Sequence, residues 1–287
     1  MIIGYLPKAH VSHFASARLQ GLTELIAFSM EPPADGFSPF NSPFTPHELS
    51  QYQKIKQDVG CKLLFCVGGG ARSENFPELT ANTDARQHFV GELVSYCKEN
   101  DFDGVDYDWE HPEGDQNSEQ HKNYKALIQD TKEEMSGSNM IVTLAQAAWQ
   151  PLQPETYEIV DRVHLMSYDH TDYPQATMDK AEQNIDTMIN ARGCPAKKIA
   201  LGVPFYGRAE NYSDTAKYSD LISRHPHAYH KDIIEGYALN GRPTIIEKTR
   251  LAKERGLAGI MIWQVGQDTV DPETSLLAAI VSATAEG

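Results

Sequence analysis

The chain has 287 residues, of which 40% are hydrophobic and 23% charged, an ordinary composition for a globular protein with room for one large core or two small ones. A formal net charge of −15 at pH 7, with no basic stripe to offset it, excludes nucleic acid and anionic membrane surfaces as partners and suits a neutral or cationic substrate. No apolar run approaches the roughly 20 residues of a spanning helix.

Taken in order, short apolar runs rich in β-branched residues alternate with helical patterns. The first run, Ile2 to Leu6, carries Tyr5. It opens the chain where a charged n-region and an apolar h-region would stand in a signal peptide, so the expectation is either an intracellular protein or a trimmed mature form with an added Met. Leu25 to Ser29 follows, then a helix over His47 to Val59. The third run, Lys62 to Val67, exits through Gly68-Gly69-Gly70. This lacks the GxGxxG spacing of a phosphate turn, so the glycines are read as the strand's exit or a close approach to ligand. A helix over Asp84 to Asn100 leads to the fourth run, Phe102 to Asp108. Then come a helix over Ser118 to Met135, a strand over Met140 to Leu144, a helix over Pro154 to Asp161 and a strand over Val163 to Ser167. The remainder is a helix over Met178 to Arg192, a strand over Ile199 to Phe205, a helix over Thr244 to Arg255 and a strand over Leu257 to Trp263.

Eight such runs, too apolar to have one wet face, predict strands covered on both sides. Their alternation with helices predicts an α/β (β/α)8 barrel forming one domain over residues 1–287, with a doubly wound open sheet as the competing architecture. The segment Ala209 to Pro243 exceeds the usual connection between a strand and its helix and is read as a lid or small subdomain at about 209–243. The four cysteines show neither metal-ligand nor disulfide spacing and are expected to be free, buried thiols.

The richest chemistry lies in Phe102 to Glu110. On an extended strand, Phe102, Gly104, Asp106, Asp108 and Glu110 share one face, and Val105, Tyr107 and Trp109 share the other. Carboxylates that close disfavour joint ionisation, so a proton is shared or held among them, as cleavage of a glycosidic bond requires. A hard-cation site is the competitor, but the following loop, His111-Pro112-Glu113-Gly114-Asp115, has no regular ligand spacing. The cluster His225-Pro226-His227-Ala228-Tyr229-His230 has no matching ligands elsewhere. We therefore expect no metal and no cofactor.

Barrel chemistry sits at the C-terminal strand ends. There the sequence places Tyr5, Met166, Tyr168 and Asp169, Tyr206 and Arg208, and Met261 and Trp263; the aromatics among them suit the apolar faces of sugar rings. Ordinary retaining glycosidases set two carboxylates about 5 Å apart across the scissile bond. Asp106, Asp108 and Glu110 project from one strand in one direction and cannot flank a ring. A substrate carrying its own nucleophile, such as a 2-acetamido group, resolves this.

Asp103-Gly104-Val105-Asp106-Tyr107-Asp108-Trp109-Glu110 resembles the DGxDxDWE signature of the chitinases of glycoside hydrolase family 18. Met166-Ser167-Tyr168-Asp169 resembles that family's MxYD, Gly68-Gly69 its SxGG element, and Trp263 the tryptophan ending its last strand. The resemblance implies retaining, substrate-assisted hydrolysis of β-1,4-linked N-acetylglucosamine in chitin or chitooligosaccharides; a monomer is expected. It implies Glu110 as proton donor, Asp108 as the partner of the acetamide N–H, Asp106 as the partner of Asp108, and Tyr168 on the acetamide carbonyl. Trp263 would form the subsite floor, lined by Asp169, Met166, Tyr5 and Gly69, with Tyr206 and Arg208 also binding substrate. Chitin as substrate implies a secreted or periplasmic protein if a leader was trimmed, and a cytoplasmic one otherwise.

Three departures from the family pattern matter. Cys66 replaces the usual Ser, which predicts weaker hydrogen bonding around Asp106. Gly70 replaces an aromatic, and Ala209 to Pro243 is short for the family's α+β insertion; together these predict a shallower cleft and endo or short-oligomer cleavage. The alternatives are an endo-β-N-acetylglucosaminidase acting on N-glycans, against which Trp109 counts, and a non-catalytic chitin-binding lectin, against which the retained acids count.

Overall fold

The computed structural model describes residues 1–12, 14–38 and 40–286. Its strands are β1 (Ile2–Pro7), β2 (Glu24–Met30), β3 (Lys62–Gly68), β4 (Gly104–Asp108), β5 (Ile141–Gln146), β6 (Arg162–Leu165), β7 (Ile199–Pro204), β8 (Tyr206–Ala209), β9 (Thr215–Lys217), β10 (Ile233–Ile234), β11 (Tyr237–Ala238) and β12 (Gly259–Trp263). Strands β1 to β7 and β12 pair in parallel and close into a barrel, β12 returning to β1. The chain is therefore a (β/α)8 barrel, and the open-sheet alternative falls. Strands β8 to β11 form a separate antiparallel sheet in the order β10-β11-β8-β9, within the long segment after β7.

Alternation along each strand divides the core in two. Inward residues Ile3, Tyr5, Ile26, Phe28, Leu64, Cys66, Ala200 and Met261 fill the barrel. Their neighbours Ile2, Leu6, Leu25, Ala27, Leu63, Phe65 and Val67 join the larger layer under the helices. Both faces are covered, as a parallel sheet demands. All four cysteines are buried and unpaired.

The helices are α1 (Lys8–Val11), α2 (Pro46–Val59), α3 (Phe76–Ala81), α4 (Thr83–Glu99), α5 (Glu119–Glu134), α6 (Thr156–Ile159), α7 (Met178–Asp186), α8 (Tyr218–Arg224), α9 (Arg242–Glu254) and α10 (Leu276–Ala285). Local chemistry sets their ends. Thr45 and Glu48 make a reciprocal capping box before α2, with Pro46 in its first turn, and Gly60 closes it at φ 73°. Helices α1, α3, α8 and α10 lie outside the expected set. Helix α10 is apolar nearly all round, without the wet face that marks a surface helix; it begins where Asp268 accepts hydrogen bonds from the Leu276 and Leu277 amides and the Ser275 hydroxyl. The pattern over Met178 to Arg192 is α-helical only to Asp186, and Thr187 to Ala191 forms a π-helical turn.

The fourth strand begins at Gly104, so the alternation expected from Phe102 onward breaks. Phe102 packs outside the barrel against Phe65 and Tyr96, leaving the inward face to Asp106 and Asp108. Strand β6 likewise ends at Leu165, and Met166 to Asp169 form its exit loop rather than its last turns of pleat.

Candidate active site

The C-terminal rim of the barrel encloses a cavity of about 680 Å³ lined by Tyr5, Phe28, Asp108, Glu110, Met166, Tyr168, Asp169 and Trp263 among others. Its size falls in the range of small-molecule sites, about 300–1,000 Å³. The acidic run climbs into it in steps. Asp106, at 0% exposure, lies beneath the cavity; Asp108, at 4%, lines it; Glu110, beyond the last residue of β4, stands with 27% of its side chain exposed.

Asp106 is held on both oxygens. Tyr5 Oη donates to Oδ2 at 2.7 Å and Thr143 Oγ1 to Oδ1 at 2.6 Å, while His164 Nδ1 lies 3.2 Å from Oδ1. Burial alone would raise its pKa; the adjacent His164 and the hydrogen bonds outweigh that and hold it below the ordinary carboxylate value. The weakening expected from Cys66 is thus offset by Thr143 and His164, neither of which sequence reading singled out. The thiol itself is pushed well up by burial and by Asp106.

Asp108 behaves in the opposite way. Burial, then the charges of Glu110 and Asp106, push its carboxyl well above the ordinary value, and its Oδ1 is buried without a partner. Glu110 is raised by burial and then by Asp169. The run therefore holds one ionised carboxylate at the bottom and two groups above it that favour retaining a proton.

The exit turns fix these heights. Ser73 Oγ accepts from the Glu110 amide at 3.0 Å and lies within hydrogen-bond distance of the Gly69 and Asp108 carbonyls. The Gly69 amide donates to the Asp108 carbonyl at 2.6 Å. Gly68 and Gly69 adopt φ of 103° and 108°, and a Cβ on them would lie 2.2 Å from the Asp108 carbonyl oxygen and 2.4 Å from the Phe28 ring. Gly69, expected to line the subsite, thus serves to join β3 to β4, and Gly70 lines the cavity beside Glu110.

Aromatic rings form the rest of the wall. Trp263 meets Phe28 edge-on at 4.7 Å and Tyr5 at 5.7 Å. Tyr168 and Met166 both reach the cavity from the loop after β6. The Tyr168 hydroxyl is held protonated by desolvation and by neighbouring acidic groups. Tyr206 and Arg208 are not on the cavity wall. They reach Asp169 from β8, at 2.7 and 2.6 Å, and tie the small sheet to the rim. Trp109 faces outward, stacked on Phe76 at 4.9 Å and 2% exposed; it packs the scaffold and does not line the rim cavity. Trp149, 62% exposed at the mouth and edge-on to His111 at 4.6 Å, escaped sequence reading because it follows β5 without a motif. Arg192 pins its backbone through the Ala148 and Trp149 carbonyls.

Among the described residues, no three His, Cys, Asp or Glu side chains are grouped as metal ligands, and no helix is long and apolar enough to cross a membrane. His225 instead pairs with Glu235 at 2.6 Å on the surface.

A parallel barrel that stacks three carboxyl groups under an aromatic-walled cavity at its C-terminal rim has the architecture of a glycosidase. The chain belongs to the glycosyl hydrolases family 18, whose model it matches over residues 1–268. It is 24% identical over 297 residues to Chitinase A1 of Niallia circulans, a match covering 77% of this chain and 42% of that protein. It is 32% identical over 180 residues to Chitotriosidase-1 of Mus musculus, covering 52% and 39%. The chain spans less than half the length of these curated relatives. The fold is shared with a chitinase from Bacteroides thetaiotaomicron at a TM-score of 0.87 and 23% identity, covering 100% of this chain and 96% of that one. It is shared too with a chitinase-like agglutinin from Robinia pseudoacacia at 0.81 and 21%, covering 98% of each.

Proposed function

We propose that the protein is a chitinase that hydrolyses β-1,4 bonds between N-acetylglucosamine units with retention, the substrate's own acetamide acting as nucleophile. The observation that carries this is Asp108: a buried carboxyl that favours its proton, lines the cavity and leaves one oxygen without a partner. An unpaired polar atom in such a place costs free energy until a ligand group meets it. The N–H of an acetamide suits that oxygen, and orienting the amide turns its carbonyl oxygen toward the anomeric carbon. Glu110 then protonates the leaving oxygen, and as the oxazolinium ion forms Asp108 passes its own proton down to the ionised Asp106 and becomes the carboxylate that offsets the new positive charge. Tyr168, with its hydroxyl protonated, holds the acetamide carbonyl, and Trp263 is the floor. Asp106, Asp108 and Glu110 rise in one line from one strand, so no pair of them is placed to flank a ring in the manner of two-carboxylate glycosidases.

Chitotetraose and chitohexaose are the test. Early products carry the β-anomer, and oligomers lacking the acetamide are not cut. Initial α-anomer, or equal cleavage of deacetylated oligomers, would refute substrate assistance. The agglutinin with the same fold favours a second reading, a chitin-binding lectin; absence of turnover with binding retained would select it.

Trp149 is expected to stack on an outer sugar. Its pinned backbone and exposed ring present a preorganised surface, and burying one aromatic face is worth on the order of 1–2 kcal/mol. Trp149→Ala therefore raises KM for chitohexaose about tenfold while kcat changes little. An unchanged KM across oligomer lengths rules this contact out.

A further inference from the structure

We propose that His164 is a positioning residue that keeps Asp106 ionised, so that the proton of the acidic run stays on Asp108 and Glu110. This rests on the glycosidase reading above. His164 lies on β6, fully buried, and does not line the rim cavity. Its Nδ1 sits 2.8 Å from Tyr5 Oη and 3.2 Å from Asp106 Oδ1. The Tyr5 hydroxyl has one hydrogen and gives it to Asp106 Oδ2. Toward His164 that oxygen can only accept, so the hydrogen is on Nδ1, pointed at both the phenol and the carboxylate. His164 Nε2 is buried without a partner. The ring is thus committed through one nitrogen to one carboxylate.

Among the described residues, no other ring nitrogen meets Asp106. Facing the pair among the described residues are Tyr5 from β1, Cys66 from β3, Thr143 from β5 and Asp108 above; Phe28, Ala200 and Met261 from β2, β7 and β12 are apolar. The Glu24–Arg162 ion pair lies two residues before His164 on β6 and pairs with β2, away from Asp106. Thr143 and Tyr5 supply neutral hydrogen bonds, and Cys66, although paired in register with Asp106, keeps its proton. Removing His164 therefore moves the proton downward: Asp106 gains affinity for it, and Asp108, relieved of a neighbouring charge, loses some.

The test compares His164→Leu with His164→Asn, whose amide nitrogen falls near the place of Nδ1. Turnover of a chromogenic chitooligosaccharide is followed against pH, and the carboxyl carbon of Asp106 is titrated by NMR in aspartate-labelled protein without substrate. In the leucine variant the acid limb of kcat and the Asp106 titration both move up by about one pH unit, a tenfold change in the ionised fraction; asparagine restores most of it. An unmoved limb and an unmoved Asp106 titration in His164→Leu overturn the proposal, as does an equal loss at every pH that asparagine does not repair. Should the leucine variant not fold, His164→Ala is titrated with and without imidazole: a lowered Asp106 titration on adding imidazole supports the assignment, and none overturns it. If the wild type shows no turnover, the glycosidase reading fails, while the Asp106 titration still decides the role of His164.

Discussion

Glu110→Gln lowers kcat on chitooligosaccharides by at least about 10²-fold while binding persists, because general acid catalysis of this kind contributes about 10²- to 10⁴-fold. The amide copies the shape and neutrality of the protonated acid, so the Ser73 contact to its backbone and the cavity wall remain. What it lacks is a proton to release. The pH dependence follows from the same group. Glu110 must be protonated to act, and burial and Asp169 raise its pKa, so the alkaline limb of the wild-type profile lies above the ordinary carboxylate range. Activity is lost as pH rises through that value, and the residual activity of the Gln variant lacks this limb. Steady-state kinetics together with calorimetric titration of an uncleaved oligomer measure both. Turnover within about tenfold of the wild type would remove Glu110 from the role of acid.

Asp108→Asn separates stability from catalysis. Asp108 is a buried acid whose folded pKa is raised; the charged form is disfavoured in the fold, so stability falls as pH rises from the unfolded value toward the folded one. Asparagine removes that penalty, and thermal denaturation near pH 8 should show a Tm equal to or above that of the wild type. Catalysis goes the other way. An amide cannot take on the negative charge that offsets the oxazolinium ion, and the loss of one such electrostatic contact costs about 10²- to 10³-fold in kcat. KM rises as well, since the acetamide is held less well. A variant that is both less stable and nearly as active would contradict the assignment of the proton to Asp108. Sites that trade stability for activity behave as described for the wild type.

Much of this arrangement was legible from residue order. Barrel strands alternate strictly, so Asp106 and Asp108 were placed inward by counting, and the eight apolar runs matched the eight staves to within a few residues at their ends. Counting failed where the pleat stops. Phe102 lies before β4 and turns outward. Tyr206 and Arg208 belong to a second sheet and act on Asp169 instead of lining the cavity. Gly69 bends the chain at a place where any side chain would strike backbone or Phe28. Helix α10 carries no amphipathic period, and its position follows from the capping carboxylate of Asp268.

Periodicity and composition, which act within a dozen residues, determined the barrel class, the inward line of acids and the net negative charge. Which of those acids carries charge was settled only by closure of the ring. Tyr5, Thr143 and His164 come from strands remote in sequence and meet on Asp106 because the staves bearing them surround the same interior point. Protonation depends on distance and desolvation, and neither quantity exists until the barrel has formed.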